Sequence, residues 1–532
     1  MNGFLALVLH AHLPFVRHPE HEHFLEENWL FEAITETYLP LLKVFEGWQR
    51  DRLPARLALS LSPTLCAMLR DPLLQQRYLR HLDRLIDLAE RETHRTRWLK
   101  PFHEVALFYW DRLRDSKAHY ERMGGDLVGA FKQLQDSGTI EILTCAATHA
   151  VLPLLANHPP SLRAQILTAR DEYRVCFDRD PCGIWLPECA YVGQLDPILR
   201  EANIRWFVLD SHGVLHGKPR PRYGVFAPVF TPAGCAAFGR DLDSAKQVWS
   251  RHEGYPGDPR YRDFYRDIGF DLDLDYLQPH LPVKGVRGFT GLKYHRITGG
   301  GQAVEPYQRQ AALQAAKEHA AHFLHARLNQ FEKLGSILDR PPIVVSPYDA
   351  ELFGHWWFEG PEFLDALVRQ ACAAQAPFEF ITPGDYLERH PVNQVCSPAA
   401  TSWGEEGYLR VWLNETNAWI YPHLQAAQER MSELTKIVQE SDAEARRALR
   451  QAGRELLLAQ ASDWPFILRT GTSPEYARKR VTEHLRRFAT LADQISANAI
   501  DQQYLPALEA QDNLFTGLNS DYWLNGGARP GN

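Results

Sequence analysis

Seven short apolar runs, each of the length of a β-strand, recur along the chain and are separated by amphipathic stretches of helical length. Within the runs, apolar residues occupy consecutive positions and do not alternate with polar ones, a pattern typical of parallel strands that are covered on both faces. The runs span residues 4–9, 56–61, 140–143, 183–186, 206–209, 343–345 and 378–381. About seven such βα units predict an α/β fold, a barrel or near-barrel of parallel strands.

Polar or ionisable residues follow each run, at the point where the predicted strand ends. In chain order they are His10 and His12, Ser62 and Thr64, Thr148 and His149, Glu188, Asp210 and His212, Asp349 and Glu351, and Thr382 and Asp385. In a parallel barrel the carboxyl ends of the strands converge on one face, and the chemistry is built there. The sequence therefore predicts one wide polar site at that face.

Three segments depart from the βα repetition. Residues of about 72–135 are strongly helical and charged, which predicts a helical insert in the barrel. The stretch of about 219–310 is rich in proline, glycine and aromatic residues, and loops this long in compact domains usually act as lids or binding walls. From residue 391 onward the pattern is helical. We therefore predict a catalytic barrel at 1–390 and a C-terminal helical domain at 391–532 that contributes to the substrate groove.

The charge and the cysteine content exclude several classes of protein. The 532-residue chain holds 58 Lys and Arg against 66 Asp and Glu, a formal net charge of -8 with no long block of one sign, so nucleic acid is not an expected partner. Its 8 Cys include no Cys-x-x-Cys pair, which argues against a zinc ribbon or a dense disulfide framework. The first apolar run is short and has no basic segment before it. We therefore expect no signal peptide and no membrane span, and we predict a cytoplasmic protein.

Two carboxylates stand out because each follows a strand and lies among aromatic residues. Glu188 occurs in the sequence Trp-Leu-Pro-Glu-Cys-Ala-Tyr at 185–191, and Asp349 precedes a run that holds Phe353, Trp356 and Trp357. An apolar wall raises the pKa of a carboxyl group and fixes its position, as a catalytic acid or nucleophile requires. Two such groups on one barrel rim predict glycoside chemistry, in which one carboxylate attacks the anomeric carbon and the other handles the proton of the leaving oxygen.

His10 and His12 lie two residues apart at a strand end, where both side chains can point the same way. Such a pair can begin a metal site, with His149, Asp210 or His212 as further ligands. Imidazoles also bind sugar hydroxyls without a metal. Because no third ligand lies at a diagnostic spacing, we predict no metal and assign the histidines to substrate hydroxyls.

Several of the 14 Trp gather toward the C-terminal part of the chain. Trp403, Trp412 and Trp464 lie close to glycine or acidic residues, among them Asp463. Indole rings stack on the C–H faces of pyranose rings while neighbouring carboxylates bind the hydroxyls. These residues therefore predict a carbohydrate groove.

At these motifs the chain resembles glycoside hydrolase family 57 and, within that family, the 1,4-α-glucan branching enzymes. The resemblance covers most of the chain in order, through the motifs at 10–14, 138–142, 149–153, 185–188, 348–357 and 462–464. It implies a distorted (β/α)7 barrel with a C-terminal helical domain, a retaining mechanism, and neither a metal nor another cofactor.

By motif match, the resemblance implies that Glu188 is the nucleophile and Asp349 the general acid/base. We take the candidate residues of the substrate groove to be His10, His12, Trp29, His149, Phe238, Arg262, Phe270, Trp356, Trp403, Trp412, Asp463 and Trp464. Branching enzymes of this family carry a mobile loop over the site with a tyrosine near its tip. The matching stretch, about 230–243, has no tyrosine, and Phe238 is its only aromatic residue beyond Phe230. A groove position often held by tryptophan is Phe270 here.

The implied reaction is branching, in which an α-1,4-glucan is both donor and acceptor and the new bond is α-1,6. Alternatives within the family are an α-amylase or a 4-α-glucanotransferase, in which water or a 4-hydroxyl receives the glucosyl unit. A metal-dependent polysaccharide deacetylase, whose related barrel also uses His-x-His, is an alternative from another class that metal content would separate. A non-catalytic glucan-binding protein is a third, disfavoured by the presence of both carboxylates.

Overall fold

The structure is a computed structural model that describes residues 3–249, 253–299 and 304–524. Its strands are β1 (Gly3–Ala11), β2 (Leu57–Leu61), β3 (Ile140–Leu143), β4 (Gly183–Ile184), β5 (Trp206–Leu209), β6 (Val229–Phe230), β7 (Ala236–Gly239), β8 (Ile343–Asp349) and β9 (Phe378–Phe380). They form two sheets with the orders β3-β2-β1-β8 and β4-β5-β7-β6.

Two single parallel bridges join these sheets into a ring. Thr144 pairs with Ile184, which links β3 to β4, and Arg240 pairs with Val345, which links β7 to β8. The ring therefore holds seven parallel strands, β1 to β5 with β7 and β8, and the predicted (β/α)7 barrel is confirmed. Its short β4 and its single-bridge seams account for the distortion, because few ladder hydrogen bonds hold those strands in place.

One strand of the ring was misassigned from the sequence. The run at 378–381 forms β9, which pairs with the first residues of β1 and is not part of the ring. The seventh strand of the ring is instead β7, which pairs in parallel with β5 and antiparallel with the short β6. The stretch of about 219–310 is thus not a loop throughout, because it supplies a buried strand of the barrel.

Twenty α-helices surround and extend the barrel within the described residues. They are α1 (Glu27–Ala33), α2 (Leu39–Arg50), α3 (Pro63–Leu69), α4 (Pro72–Arg95), α5 (Lys100–Arg122), α6 (Leu127–Asp136), α7 (Pro159–Phe177), α8 (Asp196–Glu201), α9 (Ser211–Leu215), α10 (Leu242–Trp249), α11 (Ile268–Asp271), α12 (Leu274–Leu277), α13 (Arg309–Ile337), α14 (Gly360–Ala373), α15 (Pro383–Arg389), α16 (Ile420–Ile437), α17 (Ala443–Ala459), α18 (Asp463–Thr470), α19 (Pro474–Ser496) and α20 (Tyr504–Gln511). The predicted helical insert corresponds to α4, α5 and α6, and the helical C-terminal region to α16 through α20. None of the described helices is both long and apolar enough to cross a membrane.

Helix caps place polar residues at the rim of the barrel. Ser62 follows β2 directly, and its hydroxyl accepts a hydrogen bond from the backbone N–H of Leu65 while Pro63 opens α3. A capping serine followed by proline is a strong start signal for a helix. Because the strand ends abruptly at this cap, the Ser62 side chain stays at the carboxyl end of the ring, where its Oγ lies 2.9 Å from His12 Nδ1.

Candidate active site

The floor of the site is built around His10, which lies near the end of β1 and opposite Ser60 of β2. Its ring is buried and stacks on the indole of Trp185, with 4.5 Å between ring centroids. His10 Nδ1 lies 3.1 Å from Ser60 Oγ, and its Nε2 lies 2.9 Å from His149 Nε2. Both ring nitrogens of His10 are engaged and only 3% of the residue is exposed, and its predicted contact with a sugar hydroxyl stays a prediction.

His149 connects the barrel to the C-terminal helices. Its backbone is left-handed, with φ 57°, and its Nδ1 lies 2.7 Å from Ser462 Oγ at the start of α18. The ring of His12 stacks on that of His149 at 3.9 Å, and His12 Nε2 lies 3.2 Å from Asp463 Oδ1. Two residues of the C-terminal region, Ser462 and Asp463, therefore stand among the residues that end strands of the barrel.

Glu188 follows β4 in a short 3-10 turn and also has a left-handed backbone, with φ 62°. The indole N–H of Trp403 donates to Glu188 Oε2 over 2.7 Å, and the backbone N–H of Trp403 donates to the Glu188 carbonyl over 2.9 Å. The pKa of Glu188 is raised to about 7. Burial is the main cause and the nearby charge of Asp463 adds to it, while the hydrogen bond from Trp403 acts in the opposite direction. Trp403 thus holds Glu188 both at its largely buried carboxyl group and at its backbone carbonyl.

Asp349 ends β8, opposite His10 in the register of β1 and β8. Burial raises the pKa of Asp349 well above its usual value, and the charges of Glu351 and Glu188 raise it further. Glu351 Oε1 accepts hydrogen bonds from the hydroxyl of Tyr38 at 2.6 Å and from the backbone N–H of His12 at 3.2 Å. The surroundings of Asp349 therefore favour its protonated form.

Indole rings form one wall beside these carboxyls. The ring of Trp249, which ends α10, lies 5.9 Å from that of Trp403 and 6.4 Å from that of Trp356. Trp356 is 44% exposed. We call Trp249, Trp356 and Trp403 the indole wall, and its faces suit pyranose stacking.

Several residues of the site were missed from the sequence. Ser60, Ser462 and Trp249 are examples, and so is Arg240, whose guanidinium lies 3.2 Å from Asp210 Oδ2 and 5.6 Å from the Trp403 ring. Arg240 directly follows β7, so recognising that strand would have placed this cation at the rim. Ser60 and Ser462 gave no signal of their own.

Four predicted groove residues are buried in this structure. Phe238 is 1% exposed, Arg262 3%, Trp412 2% and Trp464 0%. Phe238 packs between Trp206 and Tyr386, Arg262 forms an ion pair with Glu36, Trp412 packs against Gly404, and the Trp464 indole N–H donates to the carbonyl of Leu458. Each of the four side chains thus packs inside the fold, and their roles in the groove stay predictions.

The stretch of about 230–243 is likewise not a loop over the site. It contains most of the hairpin of β6 and β7, followed by the start of α10. Trp29 packs edge-on against Tyr476 at 5.8 Å, and Phe270, which is 49% exposed, contacts Phe289 at 5.0 Å. The roles of Trp29 and Phe270 in the groove stay predictions.

Two groups of side chains in the described part of the chain have the proximity needed for a metal ion. One is His10, Cys145 and His149 at the floor, and the other is Glu455, His484 and Asp512 among the C-terminal helices. At the floor, the facing nitrogens of the two histidines bond to each other. In the second group, the Arg487 guanidinium lies 2.8 Å from Asp512 Oδ2, so a positively charged side chain already pairs with that carboxylate.

A closed parallel barrel with two largely buried carboxyls at the carboxyl ends of its strands, beside a wall of indoles, defines an enzyme that acts on carbohydrate. Residues 6–399 match the family model described as glycosyl hydrolase family 57, and residues 423–523 match the model for the C-terminal part of 1,4-alpha-glucan branching enzymes. The chain belongs to glycoside hydrolase family 57.

Relatives of known structure or name agree with this assignment. The chain is 32% identical to the 1,4-alpha-glucan branching enzyme TK1436 of Thermococcus kodakarensis, over 97% of this chain and 78% of that protein. It superposes on the alpha-amylase AmyC of Thermotoga maritima with a TM-score of 0.92 and 42% identity, over 98% of this chain and 99% of AmyC. The branching enzyme of Pyrococcus horikoshii gives a TM-score of 0.88 with 32% identity, over 100% and 98% of the two chains.

Proposed function

We propose that the protein is a 1,4-α-glucan branching enzyme that cleaves an α-1,4-glucan and transfers the released segment to a 6-hydroxyl of glucan. The observation that carries the proposal is the pair Glu188 and Asp349 at the ends of β4 and β8, in a chain whose residues 423–523 match a model of branching enzymes. The relative TK1436, 32% identical, bears the same activity in its name.

In the proposed mechanism the Glu188 carboxylate attacks C1 of a glucosyl unit while the protonated Asp349 donates its proton to the departing 4-oxygen. A covalent β-glucosyl-enzyme forms, and Asp349 is left ionised. Asp349 then takes the proton of an acceptor 6-hydroxyl, whose oxygen attacks C1 and expels Glu188. Two inversions leave the α configuration unchanged.

The raised pKa of Asp349 supports this division of roles. A carboxyl that keeps its proton suits the general acid, and Asp349 has its pKa raised well above its usual value by burial and by two neighbouring carboxylates. The pKa of Glu188 is raised to about 7, and the charge of Glu188 in turn raises the pKa of Asp349. The pair therefore titrates as a unit.

Transfer further requires that an acceptor chain reaches the intermediate while water does not. We assign the indole wall to this task, since Trp403 holds Glu188 directly and Trp249 and Trp356 extend from it. We also propose that the protein acts in the cytoplasm, where its eight free thiols would stay reduced.

An α-amylase is the second candidate, and one observation favours it. AmyC, described as an alpha-amylase, is 42% identical to this chain and matches it over nearly the full length of both proteins. Both activities pass through the same intermediate, so they differ only in whether water or a 6-hydroxyl receives it.

The experiment that separates them is incubation with amylose, followed by treatment with an α-1,6-specific debranching enzyme. A branching enzyme gives many new α-1,6 linkages for each new reducing end, whereas an amylase gives reducing ends and no new chains on debranching. Glu188→Gln serves as the inactive control. An active preparation that forms no α-1,6 linkage would overturn the proposal.

Chelation tests the deacetylase alternative. The double displacement uses two carboxyl groups and no metal, so we expect glucan activity to survive exhaustive chelation. Loss of activity on chelation and its return with one stoichiometric metal would move the protein to a metal-dependent class.

A further inference from the structure

We infer that a π-helical turn of residues 34–38, between α1 and α2, positions both ends of the segment 349–357, which we call the rim segment. Tyr38 fixes the beginning of the rim segment, where Asp349 lies, and Glu36 fixes its end. Turns of this kind inside helices often occur at functional sites. The inference rests on the proposed function, because it takes Asp349 as the general acid and an indole of the rim segment as part of the glucan-binding wall.

Tyr38 holds the beginning of the rim segment through Glu351. Asp349 is the N-cap of the 3-10 turn Ala350–Leu352, and Glu351 lies at the centre of that turn. The hydroxyl of the buried Tyr38 donates to Glu351 Oε1 over 2.6 Å, and the backbone N–H of His12 donates to the same oxygen over 3.2 Å. The Glu351 carboxylate therefore ties the turn that opens at Asp349 to the π-helical turn and to the residue after β1.

Glu36 holds the other end of the rim segment through His355. Glu36 Oε2 accepts a hydrogen bond from His355 Nδ1 over 2.6 Å. Arg262 closes a ring of contacts, since its Nη1 donates to Glu36 Oε1 over 3.0 Å and its Nη2 donates to the carbonyl of His355 over 3.3 Å. Charge-assisted bonds of this kind are short and directional. Both the imidazole and the main chain of His355 are thus fixed.

The backbone of the rim segment lies directly on the π-helical turn at Gly354. The φ of Gly354 is 115°, which favours glycine, and a Cβ at this position would overlap the carbonyl oxygen of Glu36. The backbone N–H of Gly354 donates to the carbonyl of Trp357 over 2.8 Å, which closes a tight turn around His355 and Trp356. The contact of Glu36 with His355 therefore stands on a close fit of two main chains.

Trp356 is the residue that this tight turn leaves accessible. It is 44% exposed, whereas Trp357 beside it is 1% exposed. Because His355 precedes Trp356 directly, a loosened His355 changes the direction of the Trp356 indole and the stacking of a glucan unit on it. A loosened Glu351 instead displaces the general acid.

The test is a separation of kcat from KM between two variants that lie two positions apart. Tyr38→Phe removes one hydroxyl from a buried ring and keeps its packing, so kcat on amylose should fall about tenfold while KM changes little. Glu36→Gln removes the charge that holds His355, so KM for amylose should rise about tenfold while kcat stays within about twofold. The same pattern of kcat and KM in both variants would overturn the inference, because a turn that only supports the fold gives no such separation.

An activated donor, whose leaving group needs no proton, tests the Asp349 end. Tyr38→Phe should give a normal burst with this donor, because its first step does not use the general acid. A burst that falls in parallel with kcat on amylose would show that Tyr38 does not act on Asp349. Tyr78→Phe is the matched control, since Tyr78 is equally buried and its hydroxyl lies 3.0 Å from Thr35 Oγ1 in the same π-helical turn. It should leave kcat and KM near their wild-type values.

A double-mutant cycle tests the Trp356 end. If Glu36 acts through Trp356, Glu36→Gln should raise KM for amylose in the wild type and change it little in a Trp356→Ala background. Equal fold changes in the two backgrounds overturn the inference. If Glu36→Gln fails to fold, His355→Asn takes its place in the cycle, because it breaks the same contact and keeps the ion pair of Glu36 with Arg262.

The same experiments separate this inference from the proposed function. Cleaved bonds are counted whichever acceptor receives the glucosyl unit, so a protein that only hydrolyses still gives kcat and KM. The expected separation without new α-1,6 linkages refutes branching and keeps the inference, whereas new α-1,6 linkages without the separation do the reverse.

Discussion

Glu188 and Asp349 are each partly buried, and the pKa of each carboxyl group is raised, to about 7 for Glu188 and well above its usual value for Asp349. Glu188→Gln keeps the shape of the side chain and removes the nucleophile, so we expect kcat on amylose to fall by roughly 10³-fold or more. Circular dichroism and thermal unfolding would show that the variant is folded. Near wild-type turnover in the folded variant would remove Glu188 from its proposed role.

Asp349→Asn tests the second carboxyl independently. The variant should be nearly inactive on glucan, because the departing 4-oxygen receives no proton. With an activated donor, whose leaving group needs no proton, it should still give a burst of released leaving group. A burst with Glu188→Gln and none with Asp349→Asn would show that the two roles are reversed.

At the residue scale, the sequence was sufficient where chemistry and local context coincide. Glu188 and Asp349 each follow an apolar run and adjoin aromatic residues, so both were found without a structure. Ser60 and Ser462 were not, because their partners His10 and His149 lie 50 and 313 residues away. Only the tertiary contacts show that these two serines belong to the site. Trp412 and Trp464 show the opposite difficulty, since the sequence of an indole residue is the same whether it lies in a groove or in a core.

At the scale of elements, β7 shows what a pattern of apolar runs overlooks. Its sequence is Ala-Ala-Phe-Gly, which is less apolar and less β-branched than the other strands of the ring. The run at 378–381 is more apolar, yet β9 pairs only at the start of β1. Strand membership in a closed barrel depends on register with both neighbours, and local composition does not encode that register.

The position of Phe238 in β7 changes what its replacement should do. Phe238→Ala leaves a cavity between Trp206 and Tyr386, so we expect the free energy of unfolding to fall by about 3–5 kcal/mol. The ratio of new α-1,6 linkages to new reducing ends should stay unchanged for the fraction that is folded. Denaturant unfolding measures the first effect, and debranching of the product measures the second.

Phe270→Ala provides a matched control for stability, since that ring is 49% exposed and its loss should cost much less. A changed product ratio in Phe238→Ala, measured well below its unfolding temperature, would return Phe238 to the substrate groove.

At the scale of the whole molecule, a buried ionic cluster holds the C-terminal helices together. Asp512 lies 2.8 Å from Arg487 and 3.7 Å from Arg480, and Glu455 lies 2.7 Å from His484. The helix α18, which carries Asp463 and follows Ser462, packs against α19, where both arginines lie. Through α19, this cluster thus borders the helix that carries Asp463.

Asp512→Asn keeps the shape of the side chain but leaves two buried guanidinium groups without part of their countercharge. We expect a loss of about 3–5 kcal/mol in the free energy of unfolding, as is typical when one partner of a buried ion pair is removed. Asp493→Asn, at an exposed position of α19, is the control and should change little. Equal stability of the two variants would show that the cluster is not a determinant of stability.

The burial of Glu188 has a consequence for heat resistance. A carboxyl whose pKa is about 7 in the folded protein and 4.5 as its ordinary value opposes folding increasingly as the pH rises from 4.5 to 7, and above pH 7 the cost is about 3 kcal/mol. The inactive Glu188→Gln protein should therefore tolerate heat better than the wild type at pH 8 and no better at pH 4.5, which calorimetry at the two pH values would measure. If so, the protein gives up thermal tolerance to keep its proposed nucleophile, and selection for heat resistance alone would act against this carboxylate.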